Sequence, residues 1–385
     1  MNTVEFYSGI GGFRVASDLR SHQTVWANDI SPKATKVYRD QFGGESVHEG
    51  DVRRFLDAIP PHDLLTGGFP CQPFSSAGKK QGIRDSRGTL FQVIVDALKV
   101  HQPKFFVLEN VKRLLTMEKG LHFATILSSL AELNYDIEWR LLNAMHFGLP
   151  QNRQRVFLCG VLQDFRRSRP TSVRLASTHD LAVLSGYQYG SMMDKKSWTP
   201  LEKHITRFPT WGLVSQGRFF ATDLDSFSGR GEIVPVRAIL QTGVSDEFDF
   251  TETTLKWLAK NTEVNRYIGG VEILSNQGGG ARMGYTIFGI NGVAPTLTST
   301  TSRHYERYQI GDRYRRLTNI EYARIQGFHD NHCRAVSLCD QYALIGNAVP
   351  PPMAGWVMDR IVEVGILIND LPRQPTQRTL FDYAH

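Results

Sequence analysis

The chain has 385 residues, 41% hydrophobic and 21% charged, the balance of a soluble globular protein long enough for two lobes. No apolar run reaches the length of a membrane span, and the opening MNTVEFYSGIGG lacks the basic start and apolar core of a signal peptide. A net charge of +6 suits a polyanionic partner, and four cysteines without metal-ligand spacing argue for a reduced, metal-free cytoplasmic protein.

Five apolar runs bounded by Gly, Asn or Asp read as buried strands: TVEFYS (3–8), TVWAND (24–29), DLLTGGF (63–69), KFFVLEN (104–110) and RVFLCGV (155–161). Between them, 87–100 and 121–133 carry apolar residues at helical spacing, and this alternation marks a parallel, doubly wound sheet. The basic, proline-broken stretch DFRRSRPTSVR (164–174) reads as a domain edge, so the first lobe is placed at 1–170. From 171 to 312 no such rhythm is visible and Gly, Ser and Thr abound, which predicts an irregular second lobe. Helical spacing returns at 318–327 and 351–366, so 313–371 is expected to complete the first lobe, leaving 372–385 as a flexible tail.

Chemistry gathers where the strands end. Gly9-Ile10-Gly11-Gly12 follows the first run and opens a helix, where glycine lets a ligand approach backbone N–H groups; a tight turn would need the same residues. Asp29 ends the second run about 20 residues later, placed to accept ribose hydroxyl hydrogen bonds, and Asp51 follows the next strand-like stretch. Successive junctions of this kind favour an adenosine-type ligand at the carboxyl edge of the sheet. Cys71 lies just past the third run, between Pro70 and Gln72. A lone cysteine is commonly a small buried hydrophobe, but the Gly, Pro, Gln and Ser around this one suit an ordered loop where a thiolate acts as nucleophile. Glu109 closes KFFVLEN, where partial desolvation raises a carboxyl pKa and favours proton donation. Arg153 and Arg155 are spaced to share one side of an extended segment, which suits a phosphate or a carbonyl oxygen.

In order and spacing these segments resemble the cytosine-5 DNA methyltransferases of the bacterial and phage, restriction–modification type. Pro70-Cys71-Gln72 is similar to the family's nucleophile motif, Glu109-Asn110-Val111 to its proton-donor motif, and Gln151-Asn152-Arg153-Gln154-Arg155 to its Gln-x-Arg-x-Arg motif. RRLTNIEYARIQGF (315–328) and IGNAVPP (345–351) match its C-terminal segments, so the likeness covers 4–161 and about 294–358.

The resemblance implies an α/β fold: a doubly wound mixed sheet of the Rossmann-like class I S-adenosylmethionine-dependent methyltransferases, with a second, smaller, irregular target-recognition domain. It implies methyl transfer from S-adenosylmethionine, leaving S-adenosylhomocysteine, to carbon 5 of a flipped-out cytosine in double-stranded DNA, without a metal. Cys71 would add to carbon 6, Glu109 would act at N3, Arg155 would contact the cytosine carbonyl, and Arg153 and Gln151 would order the site and the Cys71 loop. Carried over one residue at a time, Tyr7 would face adenine and Gly9, Gly11 and Gly12 would form the cofactor loop, with Glu5 in place of a usual Asp before it. Asp29 and its neighbour Ile30 would lie at the ribose, Asp51 and Val52 on the adenine side, and Leu90 in the pocket wall. Pro70, Asn347 and Val349 would lie near the methionine part.

DNA contacts would come from Gln72, Ser75, Gln151 and Thr296, the last in a Thr-Leu segment that the family places beside the target base. Arg282, Arg303 and Arg307 are candidate phosphate contacts. A monomer functionally paired with a cognate restriction endonuclease is the implied setting, and Gln377-Arg378-Thr379-Leu380-Phe381 resembles peptides that dock on sliding clamps. The tRNA-acting branch of the family characteristically has Cys-Phe-Thr, which is absent here, and a catalytically silent homologue would lack the cysteine or glutamate that this chain keeps. A nicotinamide dehydrogenase on the same sheet would leave both motifs unexplained.

Overall fold

Strands with almost no exposed side chain form the centre of the protein. In the computed structural model the described residues are 1–70, 90–167, 188–191, 208–215, 218–223, 232–277, 285–298 and 306–361. Cys71, Gln72, Ser75, Arg282, Arg303 and the segment 377–381 lie outside them.

Five strands run parallel: β1 (Asn2–Phe6), β2 (Gln23–Asp29), β3 (Val47–Glu49), β4 (Leu64–Gly68) and β5 (Phe105–Val111). Five more add antiparallel: β6 (Tyr135–Asn143), β7 (Gln154–Leu162), β8 (Gln188–Ser191), β9 (Trp211–Ser215) and β10 (Arg218–Thr222). The order is β3-β2-β1-β4-β5-β7-β6-β9-β10-β8. The sheet is therefore mixed: RVFLCGV, which alternation alone would make another parallel strand, lies in β7 and runs against β5. The chain reverses its direction of winding between β1 and β4, and at such a point the loops diverge to leave a crevice beyond the carboxyl ends of the strands.

Helices α1 (Gly12–Asp18), α2 (Pro32–Phe42), α3 (Leu90–His101), α4 (Leu121–Ala131) and α5 (Gln163–Arg167) punctuate these strands. Ser31 caps α2 by accepting from Ala34 N–H, and Pro32 occupies the first turn, where a missing N–H costs nothing. On one face of the sheet, Phe123, Trp139 and Phe208 meet edge to face with ring centroids 5.1–5.6 Å apart.

The region expected to be irregular contains strands among its described residues. Within 171–312, β8 to β10 extend the first sheet, and β11 (Thr262–Ile268), β12 (Val271–Asn276), β13 (Ile287–Phe288) and β14 (Arg307–Ile310) build a second sheet closed by β15 (Arg313–Arg315). The strand signal is missing from the sequence for a physical reason. Six of seven β11 residues are exposed, so no alternation of apolar and polar residues marks it. Helix α6 (Glu252–Leu258), capped by Thr251, leads into this sheet.

The C-terminal return comprises α7 (Asn319–Gln326), α8 (Leu338–Asn347) and α9 (Pro351–Asp359). Thr318 and Glu321 form a reciprocal capping box at the start of α7. The return is fastened to the first sheet by Arg360, whose guanidinium lies 2.7 Å from buried Glu138 on β6, and by Arg20–Asp359 at 2.5 Å. No helix among the described residues is long and apolar enough to cross a membrane.

Candidate active site

A cavity of about 700 Å³ opens at the switch point, walled by residues from β1, β2, β4, β5, the Gln151–Arg155 segment and the C-terminal return. Tyr7, Gly9, Gly12, Asp29, Ile30, Asp51, Val52, Pro70, Leu90, Glu109, Arg153, Arg155, Asn347 and Val349 all line it. These residues come from both ends of the chain, and the sheet topology brings them together. Gly11 is the one member of the loop motif outside the lining. It faces inward, and a Cβ there would lie 2.4 Å from the Phe42 ring.

The loop after β1 holds an unusual backbone. Tyr7, Gly9 and Gly11 have φ of 54°, 53° and 84°, left-handed values that a non-glycine residue adopts only at a cost. Tyr7 accepts that cost and donates its hydroxyl to the Leu90 carbonyl at 2.7 Å, tying the loop to the start of α3. Asp29 stabilises the same loop: one carboxylate oxygen accepts from Gly9 N–H and the other from Ser31 N–H, both at 2.8 Å. Its burial pushes the pKa up and these backbone bonds pull it down. Asp29 is thus a buttress of the loop as well as a candidate ribose contact. Asp51 caps the turn before Val52 and is gripped by the Arg53 guanidinium, which holds its carboxyl at about 2.

Glu109 lies near the carboxyl end of β5, 8% exposed, with Oε1 2.9 Å from Arg155 Nε. Burial raises its pKa, and the opposing attraction of Arg155 does not cancel that shift. A Cβ on Gly68 would lie 3.5 Å from the second Glu109 oxygen, so the carboxyl stands over the end of β4. Next to it, Asn110 donates its amide to the Phe69 carbonyl at 2.9 Å, fixing the chain two residues before Cys71. That role for Asn110 was not read from the sequence, although the motif contains it.

Arg153 and Arg155 divide their labour. Arg153 is 1% exposed and donates to the carbonyls of Leu297, Gly346 and Ala348 at 2.9–3.1 Å, joining the motif to the Thr-Leu segment and the C-terminal return. Three carbonyls solvate its charge, as a buried guanidinium requires. Arg155 turns to Glu109.

Gln151 corrects an expectation. It was placed among the DNA contacts, yet it is fully buried, its amide donating to Gln326 at 2.7 Å and its carbonyl accepting from Leu297 N–H at 3.1 Å. Its buried bonds fit the ordering role that the resemblance also implies. Gln326 in turn donates to the Ala348 carbonyl at 2.6 Å, a second residue that no local pattern reveals. Thr296 donates its hydroxyl to the Asn152 carbonyl at 2.6 Å and lines a neighbouring cavity of about 520 Å³. That cavity shares Val111 and Arg155 with the first and adds Lys112, Arg113 and Arg266, with no Asp or Glu among the described lining residues. Asn152, also in its lining, donates to Gly269 O at 2.9 Å, at the tip of the β11–β12 hairpin. Arg307, a candidate phosphate contact, is instead buried with its guanidinium 5.5 Å from the Phe250 ring centre.

Comparison with known proteins agrees with this geometry. A profile of the C-5 cytosine-specific DNA methylases matches residues 1–363. The chain belongs to that family. It is 32% identical over 373 residues to the type II methyltransferase M1.ScrFI of Lactococcus lactis subsp. cremoris, covering 94% of this chain and 78% of the relative. With M.Sau3AI of Staphylococcus aureus it shares 26% over 407 residues, covering 96% and 97% of the two chains. Among solved structures, the Schizosaccharomyces pombe Dnmt2 methyltransferase superposes with TM-score 0.62 at 19% identity, covering 94% of this chain and 98% of that one. A putative DNA modification methyltransferase from an Escherichia coli prophage gives 0.56 at 18%, covering 94% and 99%. The two structural likenesses show the shared fold. As a DNA (cytosine-5-)-methyltransferase, the protein belongs to a family whose methyl donor is S-adenosylmethionine.

Proposed function

We propose that this methyltransferase modifies carbon 5 of a cytosine flipped from a short duplex DNA sequence, as the modification partner in a type II restriction–modification system. The observation that carries the reading is the Glu109–Arg155 pair at 2.9 Å, buried where the two cavities meet.

The first cavity fits the cofactor. Ser8 Oγ is buried in its wall without a protein hydrogen-bond partner, a polar atom that a bound ligand would satisfy. Tyr7, Asp29, Ile30, Asp51, Val52 and Leu90 would hold the adenosine end, and Pro70, Asn347 and Val349 the methionine end. Bound there, S-adenosylmethionine supplies an electrophilic methyl group to carbon 5 of the base.

The residues of the chain do the rest. The Cys71 thiolate adds to carbon 6, making carbon 5 nucleophilic. Glu109, kept from ionising easily by burial, delivers a proton or a hydrogen bond to N3 and so stabilises the adduct. Arg155 fixes the Glu109 carboxyl and presents its remaining N–H groups to the base carbonyl, while Arg153 and Gln151 keep the wall rigid. Loss of the carbon 5 proton and departure of Cys71 restore the ring. Because carbon 6 is hidden in stacked DNA, the base must leave the helix, and the cationic second cavity receives the flanking strand.

Duplex DNA carrying 5-fluorocytosine tests the covalent step, since fluorine blocks the final elimination. Incubation with S-adenosylmethionine should give a protein–DNA adduct stable to denaturing gels with wild type and none with Cys71→Ala. An adduct in both proteins would place the nucleophile elsewhere.

A further inference from the structure

The glycine-rich loop has a partner in the C-terminal return. His332, in the turn between α7 and α8, is 1% exposed, and its Nε2 lies 2.7 Å from the Ile10 carbonyl across 322 residues of chain. A carbonyl only accepts, so the ring proton is on Nε2. Nδ1 is buried without a partner, and burial pushes the ring pKa down to about 4, which leaves a neutral imidazole. The ring is clamped by Phe328 at 4.4 Å and Phe42 at 5.9 Å between centroids. Phe42 also packs beneath Gly11.

The loop needs such support. Left-handed residues alternate at Tyr7, Gly9 and Gly11, and strained backbone persists only where its surroundings over-determine it. Asp29 holds Gly9 N–H from one side. The Ile10 carbonyl lies one residue ahead of the α1 ladder, whose first acceptor is the Gly11 carbonyl, taken by Val15 N–H. His332 takes hold of the loop at that residue.

We propose that His332 is a positioning residue for cofactor binding: its Nε2–H anchors the Ile10 carbonyl and keeps the Gly9–Gly12 loop in the shape that receives S-adenosylmethionine. This rests on the cofactor reading above. The residue touches neither cofactor nor base in this account, so it sets affinity and leaves the chemical step alone.

The test uses full-length wild type, His332→Phe and His332→Gln. Phe keeps an aromatic ring without a donor, and Gln restores an N–H at similar reach. S-adenosylhomocysteine is titrated by calorimetry, and kcat and both KM values are measured by tritiated methyl transfer into unmethylated genomic DNA. Loss of the hydrogen bond should raise the Kd and the cofactor KM of His332→Phe about five- to tenfold. Its kcat and DNA KM should stay within about twofold, with His332→Gln restored to near wild type. Unchanged affinity in His332→Phe, or a folded His332→Gln as weak as the Phe variant, would overturn the inference. His332→Leu serves as the donor-free variant if circular dichroism shows the Phe protein unfolded. No binding by wild type would overturn the cofactor reading and this inference together, whereas equal binding by all variants overturns this inference alone.

Discussion

Burial governs the Glu5 carboxyl in β1. Glu5 is 1% exposed, accepts a hydrogen bond from the Tyr38 hydroxyl at 3.1 Å, and has its pKa raised by burial from 4.5 to about 8. Below 4.5 the group is protonated in folded and unfolded chains alike, and its contribution to stability is fully present. As pH rises toward about 8 the unfolded chain ionises first, and the stability of the folded state falls. Glu5→Gln removes this dependence. Without cofactor, the Tm of the variant should gain on wild type between about pH 5 and pH 8 and then level off. A difference that does not change with pH would show that Glu5 ionises freely. At this scale the sequence revealed residues whose chemistry is local. Glu109 closes an apolar strand, and the arginine spacing within Gln151–Arg155 is visible by inspection. The burial of Gln151 was not visible, because its partner Gln326 lies 175 residues away and nothing near either one encodes the pair.

Elements meet at the first cavity through close backbone contact. The first residue of α1, Gly12, faces the link between α8 and α9, and a Cβ there would lie 2.2 Å from the Val349 carbonyl oxygen. A backbone oxygen cannot rotate away as a side chain can, so Gly12→Ala must push α1 from Val349. Overpacking of this kind costs about 1–3 kcal/mol, and thermal denaturation should show a lower Tm together with weaker cofactor binding. A variant with wild-type Tm and affinity would mean that the contact yields freely. The strands β1, β2, β4 and β5 were legible because each is an apolar run bounded by turn residues. The second sheet was hidden: β11 lies exposed at its edge and β13 is only two residues long.

The whole molecule combines a net charge of +6 with two cavities that share Val111 and Arg155, the second lined by cations. Cations that neutralise phosphates release counterions, so duplex binding should weaken steeply with salt. Arg266 is exposed on β11 and lines the second cavity. Arg266→Gln should reduce the slope of log affinity against log salt by about 1, and an unchanged slope would remove Arg266 from the DNA path. The net charge alone pointed to a polyanion, but only the fold shows where those cations gather. Bisulfite sequencing of plasmid DNA from cells expressing wild type or Cys71→Ser reads the methylation reaction directly. Protected cytosines in a single short sequence with wild type, and none with the variant, are the expected result. Soluble wild-type protein that protects no cytosine, or equal protection by Cys71→Ser, would contradict it.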